Sequence, residues 1–322
     1  MTEQAQATKT TCELCGGDEF EPLLTDVVDY ITGQTFSIRR CVRCRFCMTH
    51  PLPGDDVIAN YYPPRYRTER QKFSGKLRVK LRAAAVEAHV SPARNRRLLD
   101  LGCGTGAFAV AMQRRGWQTA VTELNDSVLE QMCALGMEAK LPDAAMREGF
   151  SAPFDAITCW HVMEHVEHPL ALAQWAREHL APGGIFQITV PNLSSWQAQL
   201  FGRHWQHLDV PRHRYHFTPG TLARLLIGCG FEIIHSTSFA LEYDLSGVVQ
   251  STLNTLCTRP NVLYEKITAR NDSDLRLPGS DLLLSFALAP LIGVVALPLC
   301  AASIPVGRGA TLTVTCKARD GQ

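Results

Sequence analysis

The chain has 322 residues, 46% of them hydrophobic and 20% charged, which suffices for a packed core in one large or two smaller domains. Its 32 Lys and Arg residues nearly balance 31 Asp and Glu residues, giving a formal net charge of +1, which argues against a nucleic-acid partner. The start, MTEQAQATKT, lacks the apolar segment of a signal peptide, so we expect a cytoplasmic protein.

Cysteines are concentrated in the N-terminal region. Two C-x2-C pairs, CELC and CVRC, stand there, whereas the cysteines after Cys47 are scattered singly. Each pair can form a tight turn that aims two thiolates at one ion, and two such turns close a tetrahedral zinc site. We predict a zinc ribbon over residues 1–60, with ligands Cys12, Cys15, Cys41 and Cys44. The alternative is reduced cysteines without a metal. Residues 61–96 are predicted to form a linker and a basic helix.

The stretch RRLLDLGCGTGAFAVAM carries the strongest pattern of the chain. An apolar run ending at Asp100 is typical of a buried parallel strand. Gly102, Gly104 and Gly106 follow it and lead into a helix near Ala107. Glycines suit such a bend because the backbone turns sharply and approaches a ligand without Cβ atoms. The pattern indicates a nucleoside-binding α/β core.

Further strands follow in the order that a doubly wound sheet requires. QTAVTELN ends at Glu123, about 20 residues after the loop, where an acid binds ribose hydroxyls. The next predicted strand is PFDAITCWH, and another follows the PGG turn. After them comes a predicted helix that is capped by Thr218 and has Pro219 at its first position. We predict a seven-stranded core over residues 97–240, whose last strand lies in residues 307–322.

The segment CWHVMEHVEHP lies at the carboxyl end of a predicted strand, where such sheets bind ligands. If it is helical, His161, Glu164, His165 and His168 share one face. Three interpretations stay open. H-x-x-E-H matches an inverted zinc-peptidase signature, although Pro169 cuts that helix short. The segment can instead cap the cofactor loop, or it can bind a divalent metal.

A second cluster, HLDVPRHRYHF, precedes the helix that begins at Pro219. His213 or His216 is expected to complete a metal site or act as general base, since a neutral imidazole suits deprotonation of a hydroxyl. Arg212 and Arg214 either hold an anionic substrate or are solvated loop residues.

Residues 241–306 form a predicted hydrophobic helical insert between the sixth and seventh strands. Its segment 282–306 has no charged residue and is long enough to span a bilayer. Pro290, Pro298 and Pro305 are expected to break it into short helices. We expect peripheral contact with the inner face of the cell membrane, or else a homodimer interface.

LLDLGCGTG, together with the FD…EHV…PGG…PN series, resembles class I S-adenosylmethionine-dependent methyltransferases. The resemblance covers roughly Arg97–Phe239 and the last dozen residues. It implies a Rossmann-like fold and S-adenosylmethionine as cofactor. The alternative, a nicotinamide dehydrogenase, fits the loop spacing and HVMEHV less well. The residues expected to contact the cofactor are Asp100, Gly102, Cys103, Gly104, Gly106, Glu123 and Trp160.

Some O-methyltransferases that act on RNA 3′ ends or ubiquinone precursors carry E-x-x-E-H at this point and bind a divalent ion. Here His161 replaces the first Glu, which shifts the preference from Mg²⁺ towards Zn²⁺, Fe²⁺ or Mn²⁺. Glu164 and His165 are the expected ligands. The candidate catalytic residues are His161, Glu164, His165, His213 and His216.

The combination of ribbon, NYYPPRY and core resembles enzymes of polysaccharide and sugar-antibiotic pathways. It implies O-methylation of a sugar hydroxyl on a nucleotide- or lipid-linked glycan. The alternatives are a sugar C-methyltransferase, a metal-dependent RNA 3′-end 2′-O-methyltransferase and a non-catalytic membrane-associated scaffold.

Overall fold

The computed structural model describes residues 11–62, 73–91, 95–238, 240–268 and 276–319. The chain folds as two compact units. The cysteine unit comprises Met1–Thr68, Pro191–Leu222 and Thr237–Leu312, and the glycine-loop unit comprises Glu69–Val190, Ala223–Ser236 and Thr313–Gln322. This division joins chain segments that the sequence assigns to a ribbon, a core and an insert. Of the NYYPPRY motif, the residues after Tyr62 lie outside the described part of the chain.

The strands are β1 (Phe20–Val28), β2 (Thr35–Cys41), β3 (Cys47–His50), β4 (Arg97–Leu101), β5 (Gln118–Thr122), β6 (Glu138–Lys140), β7 (Phe154–Trp160), β8 (Leu180–Pro191), β9 (Tyr215–His216), β10 (Phe231–Thr237) and β11 (Thr311–Ala318). The α-helices are α1 (Asp55–Ile58), α2 (Phe73–Glu87), α3 (Ala107–Gln113), α4 (Asp126–Ala134), α5 (Pro142–Glu148), α6 (Pro169–Glu178), α7 (Trp196–Phe201), α8 (Pro219–Gly228), α9 (Leu241–Leu256), α10 (Val262–Thr268) and α11 (Gly279–Ser303).

A seven-stranded sheet organises the glycine-loop unit, with strand order β10-β11-β8-β7-β4-β5-β6. This confirms the predicted Rossmann-like α/β fold. β4 pairs in parallel with both β5 and β7, and Leu101 lies opposite Cys159. The loops after β4 and β7 therefore leave the same edge of the sheet. Buried apolar residues, among them Leu98, Phe108 and Ile185, pack the layer between the sheet and its helices.

A four-stranded sheet, β1-β2-β3-β9, forms the framework of the cysteine unit. β1, β2 and β3 are joined as an antiparallel meander, and β9 pairs with β3 through Met48 and Tyr215. The apolar cluster around Phe36, Ile38 and Trp205 draws residues from both chain segments. Distant parts of the sequence thus build one core.

The helical insert consists of α9, α10 and α11. The prediction that prolines break this stretch into short helices is wrong for two of them, because Pro290 and Pro298 lie inside the 25-residue helix α11. A proline inside a helix removes one hydrogen bond at a cost of about 3 kcal/mol, which the packing of α11 on α9 offsets. Among the described residues, α11 is the helix that is long and apolar enough, by length and composition, to cross a membrane.

Candidate functional site

The glycine loop between β4 and α3 adopts a backbone that side chains disfavour. Gly102 and Gly104 have φ of 63° and 58°, in the left-handed region. A Cβ at Gly102 would lie 2.5 Å from Val162 Cγ2, so the loop packs against the turn that follows β7. A Cβ at Gly104 would meet nothing within 4 Å. The loop at Gly104 therefore borders open space with a bare backbone, as a bound nucleoside requires.

Two carboxylates accompany this loop at the carboxyl edge of the sheet. Asp100 accepts a hydrogen bond of 2.7 Å from Thr158 Oγ1 on the adjacent strand. Burial raises the pKa of Asp100 to about 6, and the bond from Thr158 opposes that rise. Glu123 accepts from the backbone N–H groups of Gly104 at 2.8 Å and Leu124 at 2.7 Å. Glu123 is thus aligned beside the loop, where a ribose hydroxyl can reach it.

Trp160 ends β7 at the same edge. Its ring contacts Phe108 edge-on at 6.1 Å, and the Arg82 guanidinium lies 4.6 Å from its centroid. Within the described part of the chain, the buried Trp160 Nε1 has no hydrogen-bond partner, and a buried donor of this kind favours a ligand acceptor. Cys103, half-buried, donates its backbone N–H to Thr122 at 2.9 Å, and burial raises the pKa of its thiol, which keeps it protonated.

The segment after β7 is a turn rather than a helix, so the condition for one shared helical face is not met. His165 N bonds to Val162 O at 2.9 Å to close one turn, and α6 begins only at Pro169. Proline disfavours helical backbone in the residue before it, which explains the interruption. His161 has a left-handed φ of 55°, a conformation uncommon for a residue other than glycine.

This turn nevertheless brings polar side chains together. His161 Nδ1 lies 3.3 Å from Oε1 of Glu164, whose carboxylate is fully buried. Donor atoms of Glu164 and His165 lie within 4.8 Å of each other. Because Val162 of the same turn touches Gly102, these groups lie at the edge that carries the glycine loop.

His213 and His216 lie in the cysteine unit, on and beside β9. His213 Nδ1 lies 2.9 Å from His207 O. His216 is buried, and its Nε2 lies 2.9 Å from Thr49 Oγ1. Desolvation lowers the pKa of His216 to about 3, so its ring is neutral at physiological pH. Thr49 also donates to the backbone O of His213 at 2.7 Å, which ties this segment to β3.

Arg212 is fully buried, so its interpretation as a solvated loop residue is wrong. Its guanidinium bonds to Asp29 Oδ1 at 2.8 Å and to Asp209 Oδ1 at 2.7 Å. Arg214 is 7% exposed and is likewise not solvated. Sequence reasoning missed this ion triad because Asp29 lies 183 residues away along the chain, and only the acid at i−3, Asp209, was a local signal.

The four predicted zinc ligands converge in the cysteine unit. Cys12 Sγ lies 3.4 Å from Cys44 Sγ, and Cys15 Sγ lies 3.6 Å from Cys41 Sγ. All four sulfur atoms lie within 4.8 Å of one another. A tetrahedron with zinc–sulfur bonds of about 2.3 Å has edges of about 3.8 Å. The cluster is therefore compatible with one zinc ion.

Comparison with known proteins connects this geometry to a family. A family profile described as "Methyltransferase domain" matches residues 61–236, more than half of the chain. The ubiquinone biosynthesis O-methyltransferase of Paracidovorax citrulli is 27% identical over 169 residues, covering 48% of this chain and 70% of that protein. The protein of the same name from Psychrobacter arcticus is 28% identical over 151 residues, covering 42% of this chain and 59% of its own length.

A solved S-adenosylmethionine dependent methyltransferase from Mesorhizobium loti is similar to the chain at 19% identity and a TM-score of 0.43. It covers 72% of this chain and 95% of its own. The family match includes the glycine loop, Glu123 and the turn after β7. The chain therefore belongs to this methyltransferase family and is a class I S-adenosylmethionine-dependent methyltransferase.

Proposed function

We propose that the enzyme methylates a hydroxyl oxygen that has a second oxygen on the neighbouring carbon, as in a sugar diol or a catechol. The observation that carries the proposal is the turn after β7. There Glu164 and His165 present a carboxylate and an imidazole beside the glycine loop. A hydroxyl is a weak nucleophile until a base removes its proton, so these groups suit an oxygen acceptor.

S-adenosylmethionine, when bound, supplies an electrophilic methyl group on a sulfonium. The protein's part is to hold the acceptor in line and to take its proton. We assign the cofactor contacts to the backbone at Gly102, Cys103, Gly104 and Gly106, and to the side chains of Asp100, Glu123 and Trp160. Positioning supplies most of the acceleration. His165 is the proposed proton acceptor, and the buried Glu164 orients the imidazole of His161.

The same turn fits a divalent cation by the chemistry of its donors. One carboxylate oxygen and one imidazole nitrogen favour Zn²⁺, Fe²⁺ or Mn²⁺ over Mg²⁺. With such an ion bound, Glu164 and His165 would serve as its ligands. The ion would then replace His165 as the group that favours deprotonation, because it would lower the pKa of the acceptor hydroxyl. The expectation that His213 or His216 takes part stays a prediction. The hydrogen bond of His216 to Thr49 and its burial favour a structural role for that residue.

The first candidate acceptor is a sugar hydroxyl of a nucleotide- or lipid-linked glycan, which the combination of cysteine pairs and methyltransferase core implies. The second is a catechol, and the names of the two O-methyltransferase relatives favour it. Both present two adjacent oxygens.

Zinc in the four-cysteine cluster is proposed as structural. Four thiolates fill a tetrahedral ion and leave no open position for a substrate, so such a site contributes to folding rather than to catalysis. The paired sulfur distances support this assignment.

The test is transfer of labelled methyl from S-adenosylmethionine to sugar nucleotides, glycolipids and catechols. Each acceptor is assayed after chelator treatment and after return of Mn²⁺, Fe²⁺, Zn²⁺ or Mg²⁺, while zinc retention is measured to separate the cysteine cluster from the catalytic turn. We expect turnover on one diol class. Turnover only on amine or carbon acceptors would overturn the proposal.

A matched pair of variants sharpens this test. Glu164→Gln removes the buried carboxylate, whereas Glu167→Gln alters a 44% exposed side chain three residues further along the same segment. We expect turnover to fall in the first variant and to persist in the second. Equal activity of the two would contradict the assignment of Glu164.

A further inference from the structure

The helix α11 exposes a broad apolar surface. Its large hydrophobic side chains that are exposed by 38–74% define what we call the apolar face: Leu283, Phe286, Leu291, Val294, Val295, Leu297 and Leu299. At 3.6 residues per turn, these positions span about 220° of the helix circumference. The buried positions of α11, among them Ser285, Ala296 and Cys300, fall within the remaining arc.

The helix is held along its length within the cysteine unit. Near its start, the Asp281 carboxylate accepts from Thr258 Oγ1 at 2.8 Å and from Arg259 N at 3.1 Å, just after the end of α9. In its second half, Ala296 and Cys300 pack against Val248 of α9.

After its end, Ile304 O accepts from Ser238 Oγ at 3.4 Å, close to the start of α9. α9 and α11 therefore run antiparallel, and α11 lies along the unit with both ends attached. This arrangement suits a helix that rests in a membrane surface better than one that crosses a bilayer.

The shape of the apolar face distinguishes between two possible occupants. A helix that packs on one neighbour buries a stripe of roughly 100°. A second copy of the chain would cover one further stripe and leave the rest of the arc in water. Lipid chains are fluid and can cover the whole arc at once.

The absence of charge along this stretch also favours lipid as the occupant. From Leu282 to Gly307 the sequence contains no charged side chain, so burial of this surface in lipid desolvates no ion. Exposed apolar surface of this extent is uncommon on soluble monomers and marks interaction sites. We propose that α11 docks the protein on a lipid bilayer, lying in the plane of its surface with the apolar face among the acyl chains.

Flotation with vesicles of pure phosphatidylcholine tests this docking. These vesicles are zwitterionic, so binding reports the apolar contact rather than attraction to anionic headgroups. We expect the full-length protein to float with the vesicles, and binding to persist at high salt because it does not depend on screened charges. A protein that stays at the bottom of the gradient would overturn the proposal.

Paired variants locate the surface. Leu291→Glu/Val294→Glu alters side chains that are 64% and 67% exposed, and Leu77→Glu/Leu81→Glu alters side chains on α2 that are 62% and 53% exposed. The first pair should reduce partitioning by at least about tenfold, because each carboxylate must lose its hydration to enter lipid. The second pair should partition like the wild type.

Equal binding by the two variants would overturn the proposal, whether both float or both fail to float. Far-UV circular dichroism confirms that each variant is folded, and the positions were chosen because they are exposed. Sedimentation equilibrium without lipid tests whether the apolar face binds a second copy of the chain instead. A wild-type dimer that the α11 variant splits, together with absent vesicle binding, would assign the face to a second copy and overturn lipid docking.

Discussion

The two units use their polar residues in opposite ways. In the glycine-loop unit, polar groups of three short sequence motifs collect at the carboxyl ends of the parallel strands β4, β5 and β7, and the loop at Gly104 borders open space. In the cysteine unit, the polar residues of the segment before α8 are turned inward, where Arg212 bonds to Asp29 and His216 lies against Thr49. The comparison shows that a segment rich in histidine or arginine can belong to a functional site or can stabilise the fold. Which of the two it does depends on the residues that the fold places beside it.

The largest expected effect is loss of the metal cluster that we assign to the cysteine unit. Cys12→Ser removes one of four converging thiols, and structural zinc contributes on the order of 10 kcal/mol to folding in small metal-bound domains. We expect zinc content to fall from one ion per chain to near zero, with loss of ordered structure measured by circular dichroism. Cys133→Ser, at an exposed cysteine, is the control. Full zinc content in Cys12→Ser would contradict the assignment.

Glu164→Gln tests the candidate catalytic turn of the glycine-loop unit. Its carboxylate is fully buried beside His161, and its oxygen lies within 4.8 Å of a ring nitrogen of His165, the proposed proton acceptor. General-base catalysis contributes about 100- to 10,000-fold to rate, and loss of the carboxylate disturbs the turn that positions this base. We expect kcat to fall within that range while the dissociation constant for S-adenosylmethionine changes by less than about threefold. Steady-state kinetics and calorimetric titration measure the two quantities. A variant that loses cofactor affinity and keeps kcat would place Glu164 in the binding site instead.

Arg212→Met tests whether the segment before α8 is scaffold. The substitution leaves the carboxylates of Asp29 and Asp209 without this guanidinium, and breaking a buried ion pair costs about 3–5 kcal/mol. Urea denaturation should show a loss of that size. Arg203→Met, on an exposed part of the same unit, should change stability by less than about 1 kcal/mol. Equal stability of the two variants would count against the triad as a structural element.

The smallest expected effect is a dependence of stability on pH. Because the pKa of His216 is lowered to about 3, the unfolded chain binds a proton near pH 6.5 that the folded chain does not. This contribution is complete above about pH 6.5 and is lost as the pH falls towards 3, by about 1 kcal/mol per unit. His216→Gln should remove that slope from urea titrations at pH 5 and 6. An unchanged slope would mean that His216 titrates normally.

Asp100 should give a pH dependence of stability in the opposite direction from that of His216. Its pKa is raised to about 6 by burial, so the folded chain binds the extra proton and stability falls as the pH rises from about 4 to 6. Asp100→Asn should therefore remove a slope of opposite direction, measured in the same titrations. If the two substitutions changed the pH dependence of stability in the same direction, the opposite pKa shifts of His216 and Asp100 would be contradicted.

The fold of the glycine-loop unit was predictable because its signals are local. A strand tip, three glycines and an acid about 20 residues later lie close together in the sequence, and parallel pairing of β4 with β5 and β7 follows from that order. The N-terminus of α8 at Pro219 was predictable for the same reason, since Thr218 Oγ1 accepts from Thr221 N at 3.2 Å. Such features need only neighbouring residues.

Apart from the convergence of its four cysteines, the cysteine unit resisted prediction, because its other contacts join distant segments. Nothing near Tyr215 indicates that it pairs with Met48, and nothing near Arg212 indicates Asp29. The continuity of α11 through Pro290 and Pro298 depends likewise on packing against α9, which a rule for isolated helices does not include. The sequence left a helix at His161–His165 as a condition, and Pro169 was the local signal against it.

The most direct test of the account is calorimetric titration of S-adenosylmethionine into the wild type and Gly104→Asp. The loop at this position has a left-handed φ of 58° and borders open space, which a side chain and a negative charge would both disturb. We predict that the dissociation constant rises at least about a hundredfold in Gly104→Asp, with folding retained by circular dichroism. Binding within about threefold of the wild type would show that the glycine loop does not hold the methyl donor.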